Sequence, residues 1–234
     1  MDFSHSSEIH ATFPELAAGA IRARGPFAAL GDHPEVIALV EGAGRRLAAT
    51  AESEFPEIAA WRRAFARMGL KPTQYRSASE SLLRRLRLDG ALPAIHPLID
   101  LANAVSVGFA VPVAVFDLAR VEGGLEVRPA RGDERYLTFS DVIETPEVGE
   151  VIFADAIGRA HARRWCNRQS GLSAIRPATH EVLIVAEAMH EEGAECVERL
   201  VATMTRLLAA QGATVSATGR PSKAAPIFSF AAPA

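Results

Sequence analysis

The sequence predicts a mixed α/β (α+β) domain in which mixed sheets are covered by helices. Two observations lead to this class. Apolar residues recur at helical spacing through the first half of the chain, whereas short β-branched runs bounded by glycine and proline turns follow Pro112. Helices grouped early and strands grouped later argue against a regular winding of alternating strands and helices.

The first half of the chain contains one predicted strand and four predicted helices. Residues 16–24 are small and apolar and follow Phe13-Pro14, which favours a strand. Proline or serine near the first turn and glycine after the last turn mark helix ends. On these signals the helices span 34–49, 55–68, 79–88 and 97–108.

After Pro112 the pattern changes to short strands. Apolar runs punctuated by turns such as Gly123-Gly124 predict strands at 113–118, 125–128, 136–139, 151–154 and 182–186. A long amphipathic helix follows over 191–210 and stops at Gly212, and 214–217 is a candidate last strand. We therefore expect one domain over 1–217. Residues 218–234 are poor in charge and rich in Ala, Pro and Ser, which predicts a loose C-terminal tail.

Composition narrows the class of protein. The chain has 234 residues, of which 49% are hydrophobic, so it can bury a substantial core. No apolar run approaches the ~20 residues of a membrane span, and the N-terminus carries an acid where a secretory signal carries bases. Two distant cysteines suit a reducing compartment. We expect a cytoplasmic protein with no membrane partner.

Charge is distributed unevenly along the chain. The net charge of −3 argues against DNA as a partner and against a dedicated nucleic-acid binder. Between Arg62 and Arg87, however, eight basic residues accompany a single acid, Glu80, and a second basic cluster spans 159–168. These segments are either solvated basic faces or a surface that contacts phosphates.

Searches for catalytic motifs find no nucleotide-binding glycine loop, no nucleophile elbow and no metal-ligand motif. His161 and Cys166 lie close in sequence, but no third group that would orient them can be identified. We expect no metal and no organic cofactor.

Several segments carry a resemblance to a known family. They are 75–86, the I-D-L-x-N segment within 92–106, Pro112, Phe116-Asp117, 123–130, Glu134, 153–155 and 179–182. Together they resemble the B3/B4 domain of the bacterial phenylalanyl-tRNA synthetase β subunit, particularly its freestanding forms. The resemblance covers most of residues 10–217.

The resemblance implies an editing function. In the synthetase this domain receives the charged 3′ end of tRNA and hydrolyses the ester when the wrong amino acid is attached. Because an aminoacyl ester is already activated, a positioned water and a stabilised oxyanion can supply most of the rate. A deacylase acting in trans on mischarged tRNA is therefore implied, whereas the chain has no room for the ATP site of a ligase.

The resemblance also assigns residues. Glu134 matches the position whose carboxylate reads a tyrosine hydroxyl, although Gly132-Asp133-Glu134 stands where the family usually has Gly-Glu. The implied substrate-binding residues are Glu134, Gly132, Ser106, Asp117 and Thr179. The implied catalytic residues are Arg76, His96 and Asn103, and Arg84, Arg85, Arg163 and Arg164 are candidates for contacts with tRNA phosphates. For Asn103 and His96 a structural role, in pocket order or in a helix cap, is an open alternative.

Two other functions remain open. The chain can be a non-catalytic module that binds tRNA or a free amino acid. It can also be an accessory subunit that docks through the acidic start of the last helix, where Glu191, Glu192, Glu195 and Glu198 cluster. A monomer is compatible with the sequence.

Overall fold

A computed structural model describes residues 1–230. Within these residues, twelve strands form two sheets, and six α-helices pack around them. The helices are α1 (Ser7–Thr12), α2 (Pro34–Ala49), α3 (Pro56–Arg67), α4 (Ala78–Asp89), α5 (Pro97–Phe109) and α6 (Gly193–Ala210). The strands are β1 (Asp2–His5), β2 (Ala17–Arg24), β3 (Val113–Asp117), β4 (Gly124–Pro129), β5 (Arg135–Leu137), β6 (Ile143–Glu144), β7 (Val151–Asp155), β8 (Arg159–Arg163), β9 (Arg168–Gln169), β10 (Glu181–Ala188), β11 (Thr214–Gly219) and β12 (Ile227–Ser229).

The smaller sheet has the order β11-β2-β10-β3 and is antiparallel throughout. One of its faces packs against α5 and α6. Along β10, Val182, Ile184 and Ala186 join the core on this helical side. Because strand side chains alternate between faces, the other face of β10 is free to pack against a second layer.

The larger sheet forms that second layer, in the order β12-β1-β4-β7-β8-β5-β6, with β9 paired to β8. Its pairs β1/β4 and β5/β8 are parallel. Phe3, Val127 and Phe153 from this sheet share one core with Phe116 and Leu183 from the smaller sheet. The space between the two sheets is therefore the second hydrophobic core of the domain.

The predicted fold class is confirmed, and the predicted helices and strands appear with boundaries shifted by a few residues. Local signals explain this agreement. Ser77 caps α4 by accepting from the Glu80 N–H, and Gly90 ends it with φ of 71°. Proline occupies the first turn of α2, α3 and α5. The sequence prediction missed β1, α1, β8 and the two-residue strands β6 and β9.

The C-terminal tail is not a loose extension within the described residues, and the prediction for it was wrong. β12 pairs antiparallel with β1, and Phe228 lies opposite Phe3. Phe228 and Phe230 are buried in the core between the sheets. The small-residue composition suggested that the loss of conformational entropy would keep the tail unfolded. The burial of two aromatic rings offsets that loss. Residues 231–234 lie outside the described residues.

Among residues 1–230, no helix combines the length and the apolar character needed to cross a bilayer.

Candidate functional site

A cavity of about 80 Å³ lies between the two sheets. Its walls come from β3 and β10 of the smaller sheet, from β7 and β8 of the larger sheet, and from the segment that follows β8. The lining residues are Ala78, Pro112, Val113, Ala114, Phe116, Phe153, Ala162, Trp165, Cys166, Asn167, Arg168, Gln169, Val185 and Glu187. The wall is thus largely apolar, with a few polar groups.

Strand alternation places these side chains together. On β10, Leu183, Val185 and Glu187 share the face that turns toward the larger sheet, and Val185 lies opposite Ala114 of β3. On the facing sheet, Phe153 lies opposite Ala162. Small residues on β3 and β8 leave the space that larger side chains would fill.

Glu187 is a buried carboxylate in this apolar wall. Its Oε1 accepts from the indole Nε1 of Trp165 at 2.9 Å and lies 2.6 Å from Nε2 of His5. The indole of Trp61 donates to the Glu187 backbone oxygen at 3.2 Å. These contacts join β10 to β1, to α3 and to the segment after β8, so the carboxylate is held in one orientation.

The segment 164–169 forms one wall of the cavity and has an uncommon backbone. Arg164 and Trp165 adopt φ of 45° and 58°, in the left-handed region that costs a side-chain-bearing residue free energy. Packing maintains the conformation: the Trp165 N–H donates to the Val151 carbonyl at 2.7 Å, and the indole packs edge-on against Trp61. Strain of this kind is frequent at functional sites.

Cys166 is not an activated nucleophile. Burial raises the pKa of its thiol well above the usual range, and the negative charge of Glu187 adds to the effect. His161 does not contact this thiol. Its imidazole lies 2.9 Å from the Ser173 hydroxyl and 3.3 Å from Asp155. His161 and Cys166 therefore do not form a thiol–imidazole pair.

An open depression of about 440 Å³ adjoins the cavity and shares Arg168 and Gln169 with it. Its other lining residues are Tyr136, Thr138, Phe139 and Ser140. Phe139 is 72% exposed, and it is the one aromatic among the large exposed hydrophobic residues of 1–230. The guanidinium of Arg168 lies 5.5 Å from the Tyr136 ring and 3.4 Å from Glu144. An exposed ring beside a half-exposed guanidinium suits a base and its phosphate.

Comparison with known protein families identifies this architecture. The model of the B3/4 domain matches residues 60–205, which is more than half of the chain. The chain belongs to the B3/4 domain family. The matched range includes α4, α5 and every residue that lines the cavity.

Curated relatives of this B3/4 domain are named phenylalanine–tRNA ligase β subunit. The Nocardia farcinica protein is 39% identical over 77 residues, which is 33% of this chain and 9% of the relative. The Shewanella oneidensis protein is 34% identical over 102 residues, 43% of this chain and 12% of the relative. The aligned regions thus span about a tenth of these relatives.

A solved structure is also similar. It is an N-terminal fragment of the phenylalanyl-tRNA synthetase β subunit from Pyrococcus horikoshii, with a TM-score of 0.49 and 9% identity. The match covers 91% of this chain and 49% of that chain.

The predicted catalytic residues do not line the cavity of this B3/4 domain within residues 1–230. His96 caps α5, because its Nδ1 accepts from the Leu98 N–H at 3.2 Å. Asn103 lies half-buried on α5. Arg76 lies 3.7 Å from Glu80, and its carbonyl accepts from the cavity residue Asn167 at 2.8 Å. Only Arg76 therefore adjoins the site, through its backbone.

Glu134, the residue that the resemblance assigned to substrate recognition, is held by its own turn in this structure. Its side chain is fully buried, and its carboxylate accepts from the backbone N–H groups of Arg131 and Gly132 and from the Arg128 guanidinium. Burial alone would raise the pKa of Glu134, but these hydrogen bonds outweigh it and lower the pKa. The carboxylate closes its own turn, in which Gly132 has φ of 92°.

The other implied substrate-binding residues also serve the fold. The Ser106 hydroxyl donates to the Val111 carbonyl at 2.7 Å, closing the end of α5. The Thr179 hydroxyl donates to Asp117 at 2.8 Å, and Asp117 also accepts from the Ala119 N–H. The structure brings Asp117 and Thr179 together, and neither residue lines the cavity.

Arg163 is not available to tRNA. It is buried and donates to Glu150 at 2.7 Å and to Glu144 at 2.6 Å, because β8 directs its side chain toward these carboxylates. Arg164 instead lies over the Tyr75 ring at 4.8 Å. The sequence cannot separate these two neighbouring arginines, because their burial depends on the turn after β8.

The basic segment 62–87 is largely compensated by acids from elsewhere in the chain. Arg87 donates to Glu52 at 2.7 Å, and Arg84 lies 3.8 Å from the same carboxylate. Arg85 lies 3.4 Å from Asp89. Arg84 and Arg85 nevertheless remain about half exposed on α4. The local excess of positive charge is therefore smaller than the sequence count indicates.

A larger depression, about 610 Å³, lies on the outer face of the larger sheet. Asp2 and Ser4 of β1 line it, on the side opposite to the core residue Phe3. Glu126, Arg128 and Asp133 also line it and mix both signs of charge. Because this depression is open and the cavity between the sheets is more enclosed, we favour the cavity.

No group of three or more His, Cys, Asp or Glu side chains in the part of the chain that the structure describes could hold a metal ion.

The prediction from sequence missed Glu187, Trp165 and Arg168. One signal was present: Glu187 is the single charged residue in the apolar run 182–188. A charged side chain in a segment predicted to be a buried strand needs hydrogen-bond or ion-pair partners, and this requirement marks it as a candidate functional residue. Trp165 and Arg168 had no comparable signal, because the turn that positions them is irregular.

Proposed function

We propose that this B3/4 domain hydrolyses the ester of mischarged aminoacyl-tRNA in trans. The observation that carries the proposal is the cavity between the sheets, which opens beside Arg168 and Phe139 in a chain of this family. The amino acid would enter the cavity, and the terminal nucleotide would lie in the adjoining depression.

The reaction needs no protein nucleophile. Water adds to the ester carbonyl carbon, the bond to the ribose oxygen breaks, and that oxygen takes up a proton. The products are the free amino acid and uncharged tRNA. Since the ester is activated, binding and orientation in a site with little water can supply much of the rate. The protonated thiol of Cys166 is consistent with this path.

The tRNA end would be held by stacking and by charge. Bases of single-stranded RNA stack on exposed aromatic rings, a contact worth about 1–3 kcal/mol per base, and arginine binds phosphate. Phe139 and Arg168 supply both groups at the depression. Helix α4 begins at the cavity with Ala78, so Arg84 and Arg85 lie roughly 10 Å further along its axis, in reach of an acceptor stem.

The test measures amino acid release from a panel of correctly and incorrectly charged tRNAs at low salt. We expect selective release from one mischarged class. Arg168→Ala and Phe139→Ala should each raise KM about tenfold, as expected for loss of a phosphate or stacking contact. Arg45→Ala, an exposed arginine on α2, is the matched control and should leave KM unchanged.

Failure of the wild-type protein to release any amino acid would reject hydrolysis. Tight binding of charged tRNA without turnover would instead identify a binding module. Salt-insensitive association with a protein, without affinity for tRNA, would favour an accessory subunit.

A further inference from the structure

Two side-chain amides, those of Asn167 and Gln169, line the cavity between the sheets. In both of them the nitrogen is already bound. Asn167 Nδ2 donates to the Arg76 carbonyl at 2.8 Å, and Gln169 Nε2 donates to the Val115 carbonyl at 2.6 Å. Because only the nitrogen of an amide donates, each contact leaves the amide oxygen as the free end of the side chain.

Gln169 is held at its backbone and at its side chain. It lies on β9 opposite Ala162 of β8, and its backbone oxygen accepts from the Tyr136 hydroxyl at 2.8 Å. Its side chain crosses to Val115 on β3, a strand of the smaller sheet. The Gln169 Oε1 accepts no hydrogen bond within residues 1–230 and is not enclosed by protein, so water can reach it. A rigidly held acceptor that is open to water therefore lies at the cavity.

Gln169 also lies where the reacting bond would pass. In the proposed reaction the amino acid occupies the cavity, and the terminal nucleotide occupies the adjoining depression. Arg168 and Gln169 are the two residues that line both spaces. Since the ester joins the amino acid to the ribose, its carbonyl passes from one space to the other beside these residues. Asn167, in contrast, lines the cavity and not the depression.

An amide oxygen at this point can orient the attacking water. It accepts one O–H of the water, which turns a lone pair of the water oxygen toward the ester carbonyl carbon. A glutamine amide orients the attacking water in this manner in GTP hydrolysis. The amide is too weak a base to keep a proton. The water therefore loses its proton as its oxygen bonds to carbon, and the ribose oxygen takes up a proton as the ester bond breaks.

We propose that Gln169, through its Oε1, orients the water that hydrolyses the ester. This inference rests on the proposed function and adds a catalytic residue to it. The hydrogen bond from Gln169 Nε2 to the Val115 carbonyl holds that oxygen in position and takes no part in the reaction itself.

The test compares Gln169→Met with Gln169→Glu on the charged tRNA that the wild-type protein hydrolyses fastest. Neither a methionine nor a glutamate carboxylate can donate to the Val115 carbonyl, so both variants lose that hydrogen bond. Only glutamate keeps an oxygen that accepts from water. We expect Gln169→Met to lower kcat about a hundredfold while KM changes less than twofold. We expect Gln169→Glu to retain kcat within about tenfold of the wild-type value.

Gln74→Met is the matched control, because Gln74 is an exposed glutamine between α3 and α4. It should leave kcat and KM unchanged. Equal losses of kcat in Gln169→Met and Gln169→Glu would overturn the proposal, because the lost bond to Val115 would then explain both. A rise in KM with unchanged kcat in Gln169→Met would also overturn it and would identify Gln169 as a binding residue.

The wild-type protein separates this inference from the proposed function. Release of amino acid by the wild type, with undiminished kcat in Gln169→Met, would reject the role of Gln169 and leave the hydrolysis in place. No release by the wild type would reject both. The two Gln169 variants should unfold at the same urea concentration, since both lack the bond to Val115. A difference in kcat between them therefore reports the acceptor and not the fold.

Discussion

The C-terminal strand β12 allows a quantitative test of the fold. The change is Phe228→Ala. The Phe228 side chain is 7% exposed and packs with Phe230 in the core between the sheets. Burying a phenylalanine removes about 150–250 Å² from water, which at about 25 cal/mol per Å² corresponds to roughly 4–6 kcal/mol. Truncations of core Phe to Ala cost about 3–5 kcal/mol. Because β12 is an edge strand, we expect a loss of about 3 kcal/mol.

The assay is urea denaturation followed by linear extrapolation. With a slope of about 2–3 kcal/mol per molar urea, the midpoint should fall by about 1 M. Ile227→Ala is the matched control, because Ile227 is the preceding residue on the same strand and is 58% exposed. Its loss should stay below about 1 kcal/mol. Gly219→Ala is a second probe, since a Cβ there would lie 2.3 Å from the Phe228 ring. Equal losses for Phe228→Ala and Ile227→Ala would refute the packing of β12.

Three further predictions concern buried charges. Glu134→Gln should lower the free energy of unfolding by about 1–3 kcal/mol, because an amide cannot accept every hydrogen bond of that turn. The same change should alter KM for charged tRNA less than twofold. A large rise in KM would show that Glu134 contributes to binding. Arg163→Met should lower the free energy of unfolding by about 3 kcal/mol, because it leaves Glu150 without its cation. A fall in tRNA affinity with unchanged stability would contradict the buried position of Arg163. Burial alone would raise the pKa of Asp155, but hydrogen bonds from His161 and Arg159 outweigh it and hold the pKa far below its usual range. The stability that this carboxylate contributes is therefore present above its unfolded pKa of about 3.9 and is lost as the pH falls below that value. The difference in free energy of unfolding between wild type and Asp155→Asn, measured by urea denaturation, should shrink below about pH 4. A constant difference from about pH 7 to about pH 2 would contradict this prediction.

Local sequence signals predicted the helices and strands whose ends are marked by capping or turn residues. Helix α4 has a serine cap and a terminal glycine, and β10 is a long apolar run, so both were found near their observed limits. β1 and β12 have weak local patterns. They are strands because they pair with each other at the edge of the larger sheet. Residues so far apart in sequence do not fall within one short sequence window, so a local pattern cannot predict this pairing.

The candidate site was less accessible from sequence. The segments that carried the resemblance lie within the range that the family model matches. Within them, however, the polar groups of His96, Ser106 and Asp117 make hydrogen bonds at the ends of helices and strands. A cap and a ligand-binding group have the same residue types in sequence. Only the direction of the side chain separates them, and that direction depends on the packing of neighbouring elements.

The sequence by itself determined the fold class, most helices and strands, and the family to which the chain belongs. It could do so because periodicity, caps and turn residues act within a few neighbours along the chain. Only the tertiary structure decided that Arg163 is buried and that Glu134 closes its own turn. It also brought Glu187 and Trp165 to one cavity and His5 to the Glu187 carboxylate, because strands distant in sequence meet across the two sheets.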